Sequence, residues 1–278
     1  MAAQTVAGDI DYSSLVPPLT YVEAGGVDIA LTALPPMQLG RFRVDLGSYA
    51  GKVPTAIGLD LAGADVPAAL IPDERAQHLL ASFGYDRVHL DAGAHIDWSD
   101  AGEIAIKDFH FAMKDVGGLS GTADLFGIKP SEAQHLAALK GAVDALSLKS
   151  GTFTFADDSI VGRALAAQAT RLNADPVKFR QQFATGLPFM LAFLNNRELQ
   201  AQLAPVLQTF VRTSGSITAV ASPTAPVPLS AIVTAAETAP FTLLGLLSVS
   251  VSGVAGAAPA EAPAVVAPAP APIPAPAN

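Results

Sequence analysis

The chain has no cysteine. That excludes disulfides, thiolate metal sites and a cysteine nucleophile together. Charge is also scarce. Only 15% of residues are charged, and 16 basic side chains stand against 25 acidic ones, a net charge of −9. No cluster of lysine and arginine is present, so a phosphate backbone meets no basic surface and nucleic acid is not an expected partner. An anionic bilayer is repelled rather than attracted. Aromatic residues make up 6% of the chain, and much of the 50% apolar fraction is alanine, which buries little area per residue.

Long apolar runs are missing too. The longest, around Phe241–Val251, is broken by Thr242, Gly245, Ser248 and Ser250, and is too short to span a bilayer. Met1–Ile10 has neither a basic n-region nor an apolar h-region and does not read as a signal peptide. An export signal upstream would place the protein in the periplasm or cell envelope; without one the chain reads as cytoplasmic. There is no Gly-x-Ser-x-Gly elbow, P-loop, dinucleotide fingerprint or His-Glu-x-x-His. No cofactor and no catalytic residue is implied.

What is present is periodicity. From Arg87 to Trp98, residues Val88, Leu90, Ala92, Ala94, Ile96 and Trp98 are apolar at every even position, while Arg87, His89, Asp91, His95 and Asp97 fill odd ones. Side chains alternate faces along a strand, so this is one long half-buried strand. Glu103–Met113 comes next, with a slip of phase. Ile104 and Ile106 are even, but Phe109, Phe111 and Met113 are odd, and Lys107-Asp108 is where a β-bulge is expected. This slip predicts a sheet whose buried face switches midway, with apolar residues on both sides and two covers required. Leu119–Leu125 completes a meander.

Upstream, alternation predicts strands at Val27–Thr32, Arg41–Leu46 and Ile57–Leu61, the last ending at Gly63, with a short strand near Leu19–Glu23 set apart from Val27 by the punctuation of Gly25-Gly26. Pro72-Asp73-Glu74 opens a short helix ending at Gly84. Downstream the period lengthens. Helices are expected over Pro130–Leu146, Ser159–Leu172, Asp175–Leu194 with a kink at Pro188, the segment through Leu199–Val211, and Leu229–Ala239. Strands are expected at Ser150–Phe155, Gly215–Ala221 and Leu247–Val251. Ala255–Asn278 is nearly all alanine, proline and valine, and reads as a disordered, polyproline-like tail. The expected fold is α+β: an irregular segment 1–26, a curved antiparallel β-meander over 27–129, a mainly helical region 130–254 packed on it, and the tail 255–278.

Each candidate site has a plain structural alternative. His89, Asp91, His95 and Asp97 share a face, so a divalent ion is conceivable. However, His89 and His95 are about 20 Å apart by strand rise, too far for one ion to bind both, and a solvated strand face is the plainer reading. His110, two residues from Asp108, could shuttle a proton in a hydrolase or metal-dependent enzyme, or could be an exposed strand residue. His78 and His135 have no partner pattern. Phe179, Phe183, Leu187 and Met190 form a helical stripe that packs a core by default. With the phase switch, the expected ligand-binding residues are Phe109, Phe111, Met113, Phe179, Phe183 and Met190, lining a groove between sheet and helices for a lipid-like or other apolar ligand. A second reading is a scaffold that engages another protein through a sheet edge or the proline-rich tail.

In the C-terminal half, Leu148–Phe155 runs into Asp157-Asp158-Ser159. Then come Asp175-Pro176 to Leu194, the helix to Val211, Ser216–Ala221 and Pro226-Val227-Pro228-Leu229. This succession resembles the C-terminal part of uncharacterised proteobacterial envelope proteins of the AsmA-like and YdgA-like style. The resemblance implies a periplasm-facing protein and lipid handling, and carries no catalytic residues.

Overall fold

The computed structural model describes residues 19–29, 36–71, 73–133, 141, 144–194 and 196–256. The expectations for residues 1–18, Leu31-Thr32, His135, most of the helix after Pro130 and the Ala/Pro tail lie outside these residues.

The fold is α+β. Ten antiparallel strands form one open sheet: β1 (Tyr21–Ile29), β2 (Met37–Ala50), β3 (Val53–Pro67), β4 (Arg87–Trp98), β5 (Glu103–Met113), β6 (Gly117–Phe126), β7 (Ser147–Asp157), β8 (Gly215–Ala221), β9 (Val227–Pro228) and β10 (Ser250–Ala255). Neighbours follow chain order from β1 to β8, β10 closes the row, and β9 pairs with β7. Seven helices are described: α1 (Glu74–Ser82), α2 (Pro130–Ala133), α3 (Ile160–Arg171), α4 (Pro176–Met190), α5 (Arg197–Thr213), α6 (Leu229–Thr238) and α7 (Thr242–Leu246).

The helix starts follow their capping chemistry. Asp73 accepts hydrogen bonds from Arg75 N and Ala76 N, Asp175 from Lys178 N just ahead of Pro176, and Asn196 from Leu199 N. Asp157, rather than Asp158, supports α3 by accepting from Val161 N at 3.0 Å. The helix α4 ends two residues after Pro188 and tightens into a 3-10 turn over Leu191–Leu194.

The slip at Lys107-Asp108 is a bulge, and Asp108 takes a positive φ of 51°. Its consequence is the reverse of a face switch. Gly93 opposes His110 and His95 opposes Lys107, so Asp108 and Phe109 together face Ala94 alone. The extra residue restores phase. Ile104 lies opposite Trp98, Ile106 opposite Ile96, Phe111 opposite Ala92 and Met113 opposite Leu90. Since directly opposed residues share a face, the isoleucines, phenylalanines and methionine of β5 all point to the same side. The sheet has one apolar face, not two.

The same device recurs. In β3, Ala62 and Gly63 face Asp91 alone, and Lys149 is the extra residue in β7. Gly63, expected to end β3, instead turns it at φ 64°, and the strand runs on to Pro67. Gly26, Gly40 and Gly63 lie level across β1, β2 and β3, since the register is unbroken on either side of them. At this line the apolar phase changes in all three strands: Val22 and Ala24 give way to Val27, Phe42 and Val44 to Leu39, Leu59 and Leu61 to Ala64. Gly25-Gly26 is therefore an internal kink in one strand rather than a break between two. Gly40 is needed because a Cβ there would sit 2.8 Å from the Ala62 carbonyl oxygen.

Helices α1, α5, α6 and α7 lie on the apolar face. At one end Leu80 of α1 packs with Ala68, Tyr85 and Val88, against Leu90 and Met113. At the other, Leu229 and Ile232 of α6 and Leu243 of α7 close over Ala123, Leu148, Ala221, Ile106 and Leu125. The helix α5 lies on the far strands, with Phe210 edge-on to Phe155 at 6.0 Å between ring centroids. Helices α3 and α4 continue outward from α5 through Leu165, Ala184, Leu187, Leu207 and Val211. A polar knot fastens α1 to α3. Tyr85 OH donates to the Asp115 carbonyl at 2.8 Å and meets Ser159 Oγ, while Arg163 donates to the Phe83 carbonyl and stacks 4.3 Å above the Tyr85 ring.

Replacing Gly40 by alanine is expected to force β2 and β3 apart and cost about 1–3 kcal/mol. Gly186→Ala, in α4 with nothing within 4 Å of the new methyl group, should stabilise by about 0.5–1 kcal/mol. Urea unfolding of both variants checks the pair.

Candidate functional site

Between the cover at α1 and the cover at α6 and α7, part of the apolar face carries none of the described helices. Two rows of side chains cross the sheet there. One runs Phe42, Leu61, Ala92, Phe111, Leu119, Phe155; the other runs Val44, Leu59, Ala94, then Gly121 and Phe153. Phe42, Leu59 and Phe111 remain 37–39% exposed, high values for large apolar side chains on a sheet's inner face.

A dimple of about 270 Å³ sits at the centre of this bare band. Its shape is set by residue size. Strand β4 contributes only Ala92 and Ala94 to this face, while its neighbours contribute Leu59 and Leu61 on one side and Phe109 and Phe111 on the other. Strands are about 4.8 Å apart, so the flanking walls stand about 10 Å from each other over an alanine floor. Phe42 closes the β2 side.

The opposite face is polar and divides in two. Over β1–β7 it carries ion pairs: Arg43 with Glu23 and Asp45, Arg41 with Asp60, Arg87 with Asp65, Lys107 with Asp97 and Lys149 with Glu103. From β6 onward hydroxyls take over, and Ser120, Thr154, Thr218 and Ser252 form one row across four strands. Thr154 Oγ1 and Thr218 Oγ1 are 2.8 Å apart.

The histidines on this face pack on glycines. A Cβ at Gly93 would sit 2.5 Å from His110 Cε1, and one at Gly58 would sit 3.6 Å from the His95 ring. Each imidazole covers a cross-strand glycine, as aromatic rings do at exposed sheet glycines. His110 Nδ1 lies 3.2 Å from the backbone oxygen of Asp108, not from its carboxylate. Asp91 accepts a hydrogen bond from Gly63 N at 2.7 Å and so holds the β3 bulge. His89 Nδ1 is 3.5 Å from Asp65. Among the described residues no group of three His, Asp or Glu side chains is placed to hold a metal ion, and no helix is long and apolar enough to cross a membrane.

The six residues expected to line one groove are dispersed. Phe109 and Phe111 line the dimple. Met113 lies under the α1 cover, and Phe183 packs between helices α3, α4 and α5. Phe179 lies beside Phe183, ring centroids 6.3 Å apart, and Met190 is 51% exposed at the end of α4. The residues missed by sequence reasoning are Phe42, Leu59, Leu61, Ala92 and Ala94. The signal was available as the Ala-Gly-Ala step in an otherwise bulky strand, but only the register shows what stands beside it.

Among the ion pairs, Asp65 is the least exposed carboxylate. The Arg87 guanidinium, bonded to it at 2.9–3.0 Å, holds its carboxyl below the usual carboxylate range. A carboxyl depressed in the folded state adds stability that is present above its unfolded pKa of about 3.9 and is lost as pH falls through the folded value. Asp65→Asn should therefore melt below wild type at pH 7, and the gap should narrow as the pH falls below about 3.9 and through the folded value. Melting curves of both proteins from pH 7 to pH 2 measure this.

No curated protein and no solved structure matches the chain. A family model described as "Uncharacterized protein" matches residues 110–253, from His110 in β5 to Gly253 in β10. Of the dimple's lining it includes His110 and Phe111, while β2, β3 and β4 precede it. The match spans more than half of the 278 residues, and the chain belongs to this family of uncharacterized proteins.

Proposed function

We propose that the protein is a non-enzymatic binding protein whose bare apolar band seats a lipid-like ligand, with hydrocarbon lying in the dimple over Ala92 and Ala94. The observation that carries this reading is the gap itself. The helices cover both ends of the apolar face and leave Phe42, Leu59 and Phe111 partly in water between them. The ligand lies on the sheet between two helical covers, rather than between Phe109–Met113 and the stripe of α4.

Magnitude limits the reading. At about 30 Å³ per water-sized group, the dimple takes roughly nine methylenes. At about 0.8 kcal/mol each these contribute roughly 7 kcal/mol before the costs of association, so affinity should be micromolar or weaker. The resemblance to AsmA-like and YdgA-like envelope proteins favours the same ligand class and an envelope location.

Among the described residues no strand pairs with the outer side of β1, and this favours the second reading, a scaffold that adds a partner's strand or engages it through the tail. Deleting residues 255–278 separates them: a ligand binder keeps its ligand, and a scaffold acting through the tail loses its partner.

A fatty acid at a hundredfold excess over its Kd should stabilise by about 2.7 kcal/mol, raising Tm by roughly 5–10 °C. Phe111→Ala should weaken that shift, while Phe183→Ala should lower Tm without ligand and leave the shift unchanged. No shift across a fatty-acid and phospholipid panel, with no bound lipid in native mass spectrometry, removes the lipid reading.

A further inference from the structure

The chemistry of the dimple says which part of a ligand it recognises. The side chains that form it are alanine, leucine and phenylalanine. Asp60 and His110 also border it, but both point to the polar face. Asp60 bonds Arg41 there at 2.7 Å, and the His110 ring covers Gly93 there. Along the two crossing rows, from Val22 and Ala24 of β1 to Phe153 and Phe155 of β7, no position holds a hydrogen-bonding side chain. A buried head group would lose its water and gain no partner, which is costly for a hydroxyl and prohibitive for a charge. A hydrocarbon end loses nothing.

Resting on the lipid-binding reading, we infer that the site is blind to the head group: it takes the methyl end of an unbranched chain, inserted tail-first over Ala92 and Ala94, and leaves the polar end in solvent. Width favours a single unbranched chain. The walls of Leu59 and Leu61 and of Phe109 and Phe111 are about 10 Å apart between backbones, and their side chains fill much of that. Affinity should then rise about three- to fourfold for each methylene until the dimple is full at roughly nine carbons, and level off beyond.

The test is calorimetric titration of the whole chain with decanoate, n-decanol and decylammonium at 0.15 M salt, where the net charge of −9 is largely screened beyond about 8 Å. Ala92→Phe is titrated in parallel. Ala92 is half-buried on the floor of the dimple, so the larger ring occupies the dimple without removing any core contact; an unchanged or higher Tm shows that it folds. The inference expects the three ligands to bind within about threefold of one another, and all three to lose at least tenfold in the variant. Binding of one head group alone, or a more than tenfold spread, overturns the inference and leaves an apolar-ligand protein standing. Equal binding to wild type and a folded Ala92→Phe overturns the placement. If none of the three binds, the ligand-binding reading itself fails, and the inference with it.

Discussion

In a sheet covered on one side a strand buries one face only, and an extra residue turns the remainder of the strand to the other side unless the backbone kinks to absorb it. Strand β4 alternates without interruption for twelve residues, and the rest of the sheet is fitted to it. Its neighbours each carry one residue too many. Both resolve the excess next to the middle of β4, opposite Asp91 on the β3 side and opposite Ala94 on the β5 side. Two separate fixings hold the arrangement: the Asp91 carboxylate on Gly63 N, and the left-handed backbone of Asp108, a residue type that tolerates it at modest cost. Between the two bulges β4 thins to Ala-Gly-Ala. That thinning lets the His110 ring settle on one side and opens the dimple on the other.

The same constraint explains what could be read from the residues alone. Strands β4 and β5 were legible at their true bounds because alternation is a local signal. The α+β class was legible because the period lengthens after Pro130, and α1, α4 and α6 because caps and prolines act within one turn. The position of the bulge at Lys107-Asp108 was legible too. Its effect was not. A slip of phase in a sequence describes the residues, whereas the face they share depends on whether the backbone adds a kink at the same point. The sequence pattern alone is the same for a strand that switches faces and for a bulged strand that keeps one. Gly25-Gly26 and Gly63 misled for the same reason, since glycine marks both a chain reversal and an aligned kink, and only the register across β1–β3 distinguishes them.

The candidate site was legible in part. Phe109 and Phe111 were picked out by being aromatic on a strand, but the residues that make the hollow are the small ones, and smallness has meaning only beside larger neighbours. The stripe of α4 was a correct helical period with a different purpose. Phe183 and Leu187 meet α5 rather than the sheet, because α4 lies outside α5 and not on a strand. His95 and His110 were conspicuous as chemistry, and each covers a cross-strand glycine, while His89 lies beside Asp65.

The division of the polar face carries a consequence of its own. Ion pairs lie within and between strands on one side of the sheet, from β1 to β7, while the hydroxyl row from β6 to β10 holds no charge. Exposed pairs contribute little singly and fade with ionic strength, whereas hydroxyl contacts and α5 packing do not. The two flanks of one continuous sheet therefore answer to different solvents. In dilute buffer they are held alike, and in concentrated salt the β1 flank loosens first. Fraying then proceeds from the β1 edge inward and reaches β2 and β3, the dimple's first walls, before it reaches the strands that α5 covers.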